Sequence, residues 1–188
     1  IDQGRDILES RMDIDEIISY SIVDRTIRHD DGPFHWYCNG NNCSNHNYYW
    51  YEEPNNERLH LIPWDLDNAF ENIISNENVI TSIADEWGEV SNDCKPFKYL
   101  AARQWSASCD KLTALWSSYN EEYEQKKMEF INGPLTPAIT NSMLDQWYNQ
   151  IKESTLEASG IHEDAITVDE WESAFIELKT QLDFARSN

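Results

Sequence analysis

Residues 47–52, "NYYWYE", and 57–64, "ERLHLIPW", are two β-favouring runs separated only by "EPNN". Aromatic and branched side chains suit extended backbone, and Pro-Asn-Asn suits a turn, so the pair is expected to form one β-hairpin. Strand alternation puts Tyr49 and Tyr51 on one face and Tyr48 and Trp50 on the other, with one pair expected in the core. A tight hairpin brings its open ends together, so Asn47 and Asp65, eighteen positions apart, are expected side by side. Asp65 and Asp67, just past the second strand, are then either turn caps or ligands for a hard cation.

Around this hairpin the chain reads as helix. Ile14, Ile17, Ile18, Ile22 and Val23 follow helical spacing behind a capping arrangement of Asp13 with Glu16, and this helix is expected to end near Arg28, at "RHDDGP". "FHWYCNGNNCSNHN" reads as an irregular functional or decorated loop. Further helices are expected over 95–106, 109–131, 137–158 and 168–185, marked by Gly133-Pro134, by Thr136-Pro137 and by a Thr167/Glu170 capping box. Trp105, Trp116, Trp147 and Trp171 occupy helical positions and read as packing residues. With 188 residues the chain suits a single domain.

A net charge of −21 would repel nucleic acid and anionic lipid, so neither is expected as a partner. No apolar run is long enough for a membrane span, and no signal-peptide pattern precedes the helices. Four cysteines allow three connectivities; the local pairs Cys38–Cys43 and Cys94–Cys109 are favoured, in an oxidising compartment, with buried thiols as the alternative. Together with eight Trp and nine Tyr this points to a secreted or cell-surface protein. His35, Cys38, Cys43 and His46 also have the donor types of a zinc site, though not a familiar spacing. His29 stands beside the acidic turn, where it could tune a catalytic carboxylate, but reads in preference as a solvent-facing residue at a helix C-terminus.

The order of parts is suggestive: a helix, the acidic turn Asp30-Asp31, a loop ending at Asn47, a hairpin, and Asp65 at its exit. Phosphoryl transfer needs a metal-bound phosphate and a carboxylate that orients the attacking hydroxyl. "IPWDLDNAF", preceded by "NHNYYWYEEPNNERLHL" and "DIDEIISYSIVDRTIRHDDG", resembles the C-terminal lobe of the CotH kinase family, the spore-coat-protein-H-like atypical protein kinases. The later "YEQKKMEFINGPLT", "MLDQWYNQI" and "WESAFIELKTQLDFAR" are similar to that family's helical tail.

The resemblance implies a mainly α fold with a small β-hairpin, residues 1–188 forming the C-terminal lobe of a protein-kinase-like domain. No strand-rich segment precedes Asp13, so the N-terminal lobe is expected to be missing and this piece alone inactive. It implies Asp65 as metal-binding aspartate, Asn47 as second metal contact and Asp67 as a supporting ligand. Asp31 would be the catalytic base, with Asp30 as fallback. Five positions before Asn47, the spacing of ordinary kinases, stands Asn42, so Asp31 fits only if the Cys38–Cys43 segment is an insertion. ATP with Mg²⁺ or Mn²⁺ and a Ser or Thr of an extracellular or coat protein would be the reactants. The alternative is a non-catalytic surface or assembly module with a kinase-like fold, with Ca²⁺ as its ion. A glycosidase would need opposed carboxylates, which the spacing does not indicate.

Overall fold

A computed structural model describes residues 2–70, 73, 93–99 and 102–187. The chain divides into two compact units, Ile1–Lys127 and Met128–Asn188. It is mostly helical with small antiparallel sheets, as a mainly α fold requires, although two sheets replace the single hairpin expected.

The first unit opens with α1 (Asp2–Arg11) and α2 (Ile14–Thr26). Asp13 caps α2, its Oδ1 accepting from Glu16 N at 3.2 Å. Ile17, Ile18 and Ile22 are buried along α2 with Ser21, Asp24 and Arg25, so the buried face is wide and carries charge. The helix ends because Arg28 takes a left-handed backbone (φ 50°). Gly32, expected to break the helix, lies farther on and serves another purpose described below.

The hairpin forms in the expected place. β3 (Tyr48–Glu52) pairs antiparallel with β4 (Leu59–Pro63), in register from Tyr48 opposite Pro63 to Glu52 opposite Leu59. The Tyr48/Trp50 side is the inner one, Trp50 meeting the buried Trp116 at 6.1 Å and Trp116 the fully buried Phe34 edge-on at 6.3 Å, but Trp50 is 39% exposed and Tyr48 half-buried, so neither aromatic pair is core as expected. Tyr49 and Tyr51 point outward and are exposed. The hairpin is moored to the start of α2 by His60 Nδ1 against Glu16 Oε2 at 2.9 Å and by Arg58 Nη2 donating to Met12 O at 3.1 Å.

Two expectations are corrected. The supposed loop contains β1 (Trp36–Asn39) and β2 (Asn42–Ser44), and the helix expected over 95–106 is instead β5 (Phe97–Tyr99) and β6 (Ala102–Trp105) in its described part. They form one sheet in the order β2-β1-β6-β5. The apolar spacing of 97–105 matched a helix, but cross-strand partners decided otherwise. Trp36 stands opposite Trp105 with rings 5.3 Å apart, and the Trp105 indole donates to Cys94 O at 2.8 Å. Trp105 is thus a strand residue, whereas Trp116, Trp147 and Trp171 are helical as expected.

The helix expected over 109–131 is two: α3 (Lys111–Trp116), capped by Asp110, and α4 (Asn120–Asn132). In the second unit Pro137 opens α5 (Pro137–Ile161) and α6 spans Val168–Ser187. The Thr167/Glu170 box is reciprocal: Thr167 N donates to Glu170 Oε2 at 3.0 Å and Glu170 N to Thr167 Oγ1 at 3.3 Å. Tyr148 of α5 stacks on Trp171 of α6 at 4.3 Å. Both local disulfides are present, Cys38–Cys43 and Cys94–Cys109. The first consumes the thiols that a zinc site would have needed. Among the described residues no helix is long and apolar enough to cross a membrane.

Candidate functional site

The turn after α2 and the segment after β4 are laced together by backbone. Asp30 N donates to Asn68 O at 3.2 Å and Phe70 N to Ile27 O at 2.7 Å. At the hairpin's open end Trp64 N donates to Asn47 O at 2.9 Å, so the backbones of Asn47 and Asp65 are neighbours, as the hairpin geometry predicted. Both residues have left-handed backbone, φ 63° and 56°. Asn47 is half-buried. Asp65 and Asp67 are exposed, and Asp65 makes no side-chain cap to the 3₁₀ turn Leu66–Asn68 that it precedes.

His29 joins these pieces. It is fully buried, which corrects the expectation of a solvent-facing residue. Its Nδ1 lies 3.2 Å from Asp24 Oδ2, and its Nε2 lies 3.1 Å from Asp65 O and 3.2 Å from Asp31 Oδ1. The Asp65 carbonyl can only accept, so Nε2 carries hydrogen, and the contact at Nδ1 needs one hydrogen shared between the ring and the Asp24 carboxyl. Burial pulls its pKa down, but the hydrogen bond and charge of Asp24, with the Asp65 carbonyl and Asp31, outweigh that and leave it raised. Tyr20 also donates to Asp24 Oδ2, at 3.1 Å. Burial first, then the charge of Asp24, pushes the Tyr20 phenol far up, so it stays a donor.

Gly32 makes this packing possible. A Cβ there would lie 2.5 Å from Asp24 Oδ2 and 2.5 Å from His29 Nδ1, where no carbon fits.

Asp31 and Asp30 face different surroundings. Asp31 Oδ2 accepts from Asn68 Nδ2 at 3.1 Å and lies 3.3 Å from His46 Nε2. Its Oδ1 is buried without a hydrogen bond, because the nearby His29 N–H is directed at the Asp65 carbonyl. Asp30 Oδ2 accepts from Tyr37 at 2.7 Å, and its Oδ1 faces the buried His35 Nδ1 at 3.8 Å. Burial holds the His35 pKa down at about 4, so that ring is neutral. Between Asp31 and Asn47 lies the β1–β2 hairpin, closed by Cys38–Cys43, and Asn45 Nδ2 donating to Pro33 O at 2.6 Å folds its exit back.

Asp31 thus contacts His46, the residue before Asn47 in the chain, and shares His29 with the Asp65 backbone. Asp30 turns toward Tyr37 and the four-stranded sheet. Among the described residues no three His, Cys, Asp or Glu side chains are grouped as a metal cage. Sequence reading missed Asp24 and Asn68, took His46 only as a zinc donor and preferred the solvent-facing reading of His29; the signal for Asp24 was charge on the buried face of α2.

A family model described as CotH kinase protein matches residues 2–186, and the chain belongs to the CotH kinase family. Membership carries kinase-like phosphotransfer, and ATP use, at the general level. No curated protein and no solved structure was found to match the chain.

Proposed function

We propose that this chain is the C-terminal lobe of a secreted or cell-surface kinase that transfers the γ-phosphoryl group of ATP to a Ser or Thr hydroxyl of an extracellular or coat protein. What supports the reading best is the shared histidine: His29 Nε2 touches both the carboxylate of Asp31 and the carbonyl of Asp65. That contact ties the position of a base to the position of a metal ligand. The two disulfides are compatible with the extracellular setting.

Asp31 is the preferred base, because its carboxylate is tied through His29 to the Asp65 segment, while Asp30 turns toward Tyr37. His46 and Asn68 hold the other oxygen of Asp31 and orient the carboxylate. Asp65 and Asn47 would hold Mg²⁺ or Mn²⁺, with Asp67 in support; exposed oxygen donors on a turn suit a hard cation that completes its shell with phosphate and water. Bound there, the ion would offset negative charge on the phosphates. A Ca²⁺-holding surface module is the other reading, and it would need more oxygen ligands than this trio offers.

Asp65→Asn in the whole protein is expected to remove phosphotransfer with the circular dichroism unchanged. Retained transfer would take Asp65 out of the site. Thermal shift with ATP and Mn²⁺ separates the two readings: a nucleotide-dependent rise supports the kinase, and a rise with Ca²⁺ alone supports the module.

A further inference from the structure

One stretch of the chain is bare of charge. From Gly32 to Tyr51 the sequence has no Asp, Glu, Lys or Arg, although charged residues make up 26% of the protein. Within it stand β1 and β2, and β2 is an edge of the four-stranded sheet. An edge strand presents unpaired backbone groups to other chains, and proteins blunt such edges with lysine, other charges or proline. The three residues of β2 include none of these.

What β2 has instead is an acceptor pattern for N-linked sugar. Asn42-Cys43-Ser44 fits it, and no other asparagine of the chain is followed two positions on by Ser or Thr. The fold leaves this tripeptide open. Alternation along the strand sets Asn42 and Ser44 on one face, both exposed, and Cys43 on the other, half-buried and bonded to Cys38. Neither the Asn42 amide nor the Ser44 hydroxyl has a hydrogen-bond partner among the described residues. Asn45 differs: its amide is engaged by Pro33 and Tyr48. The adjoining turn stands clear as well, since a Cβ built on Gly40 meets no described atom within 4 Å.

We propose that Asn42 is a glycosylation site whose N-linked oligosaccharide covers the uncharged edge of the sheet. In the transfer, Asn42 Nδ2 bonds to the anomeric carbon of an oligosaccharide carried on a lipid pyrophosphate. The bond from that carbon to the pyrophosphate oxygen breaks, the pyrophosphate leaves with the electron pair, and the amide gives up one proton. Donor and transferase belong to the same oxidising secretory route in which disulfides form. A bulky, hydrated glycan then blocks pairing at β2 without adding charge. The inference rests on the extracellular setting of the proposed function and is independent of phosphotransfer.

Mass spectrometry of the whole protein as its own cells make it tests the site. Trypsin cuts after Arg28 and Arg58 and releases residues 29–58 as one peptide holding both the acceptor tripeptide and the Cys38–Cys43 bridge. The expected peptide carries an oligosaccharide that peptide N-glycosidase removes, turning Asn42 into aspartate. Ser44→Ala is expected to abolish the modification and Ser44→Thr to keep it, with Asn42 present in both; sugar that survives Ser44→Ala overturns the assignment. A bridged peptide with bare Asn42 overturns the site and leaves the extracellular setting standing, whereas a bare peptide with two free thiols overturns both. Stripped of its sugar, the native protein is expected to aggregate faster in light scattering by about twofold or more, as an uncovered edge allows. An unchanged rate overturns the covering role.

Discussion

The hydrogen bond and charge of Asp24 outweigh burial and raise the pKa of His29, and Asp24 depends on the ring in turn. Replacing His29 with leucine leaves Asp24 buried with one hydrogen-bond partner fewer, and the expected cost is about 1–3 kcal/mol in urea unfolding. His35 behaves oppositely. Its folded pKa, about 4, lies below the ordinary 6.5, so the folded state takes up its proton later than the unfolded state does. Its contribution is complete above pH 6.5 and is lost as pH falls toward 4, a loss of about 3 kcal/mol by linkage. His35→Leu is expected to flatten this acid limb of the Tm against pH curve; an unchanged limb would assign the loss to other groups. Gly32→Ala, whose methyl would meet Asp24 and His29 at 2.5 Å, should destabilise by at least 2 kcal/mol, about the cost of a disrupted buried pair.

Elements whose ends are marked by local chemistry were legible. Asp13, and Thr167 with Glu170, fix helix starts through side-chain bonds within a few residues, Pro137 opens a helix through its fixed backbone angle, and the hairpin's register follows from its turn and alternation. Elements fixed by distant partners were not. Phe97–Tyr99 and Ala102–Trp105 become strands because β1 lies alongside, and nothing near them in sequence announces Trp36. The candidate site divides likewise: Asn47 beside Asp65 is local geometry, whereas His29 beneath both Asp31 and Asp65 requires the folded turn. The disulfides scale with the chain they close. Replacing Cys94 and Cys109, separated by 15, with serine is expected to cost about 3 kcal/mol, against about 2 kcal/mol for Cys38 and Cys43, separated by 5. Chemical denaturation of the two double variants reads the difference, and the reverse order would mean the shorter bridge holds native structure beyond its own loop.

Across the whole molecule, −21 charges oppose compaction at low ionic strength. Raising salt from about 0.01 to 0.15 M shortens the screening length from about 30 to 8 Å, and Tm should rise. A Tm that falls instead would mean that ion pairs such as Lys126 with Asp15, at 2.6 Å, outweigh repulsion. The left-handed backbone at Asn47 and Asp65 bears on how any such variant is judged. Asparagine and aspartate accept that conformation more readily than other residues bearing a side chain. An alanine scan at these positions would therefore confuse lost ligation with a shifted peptide; exchanging one Asx residue for the other alters the donor and leaves the chain's path alone.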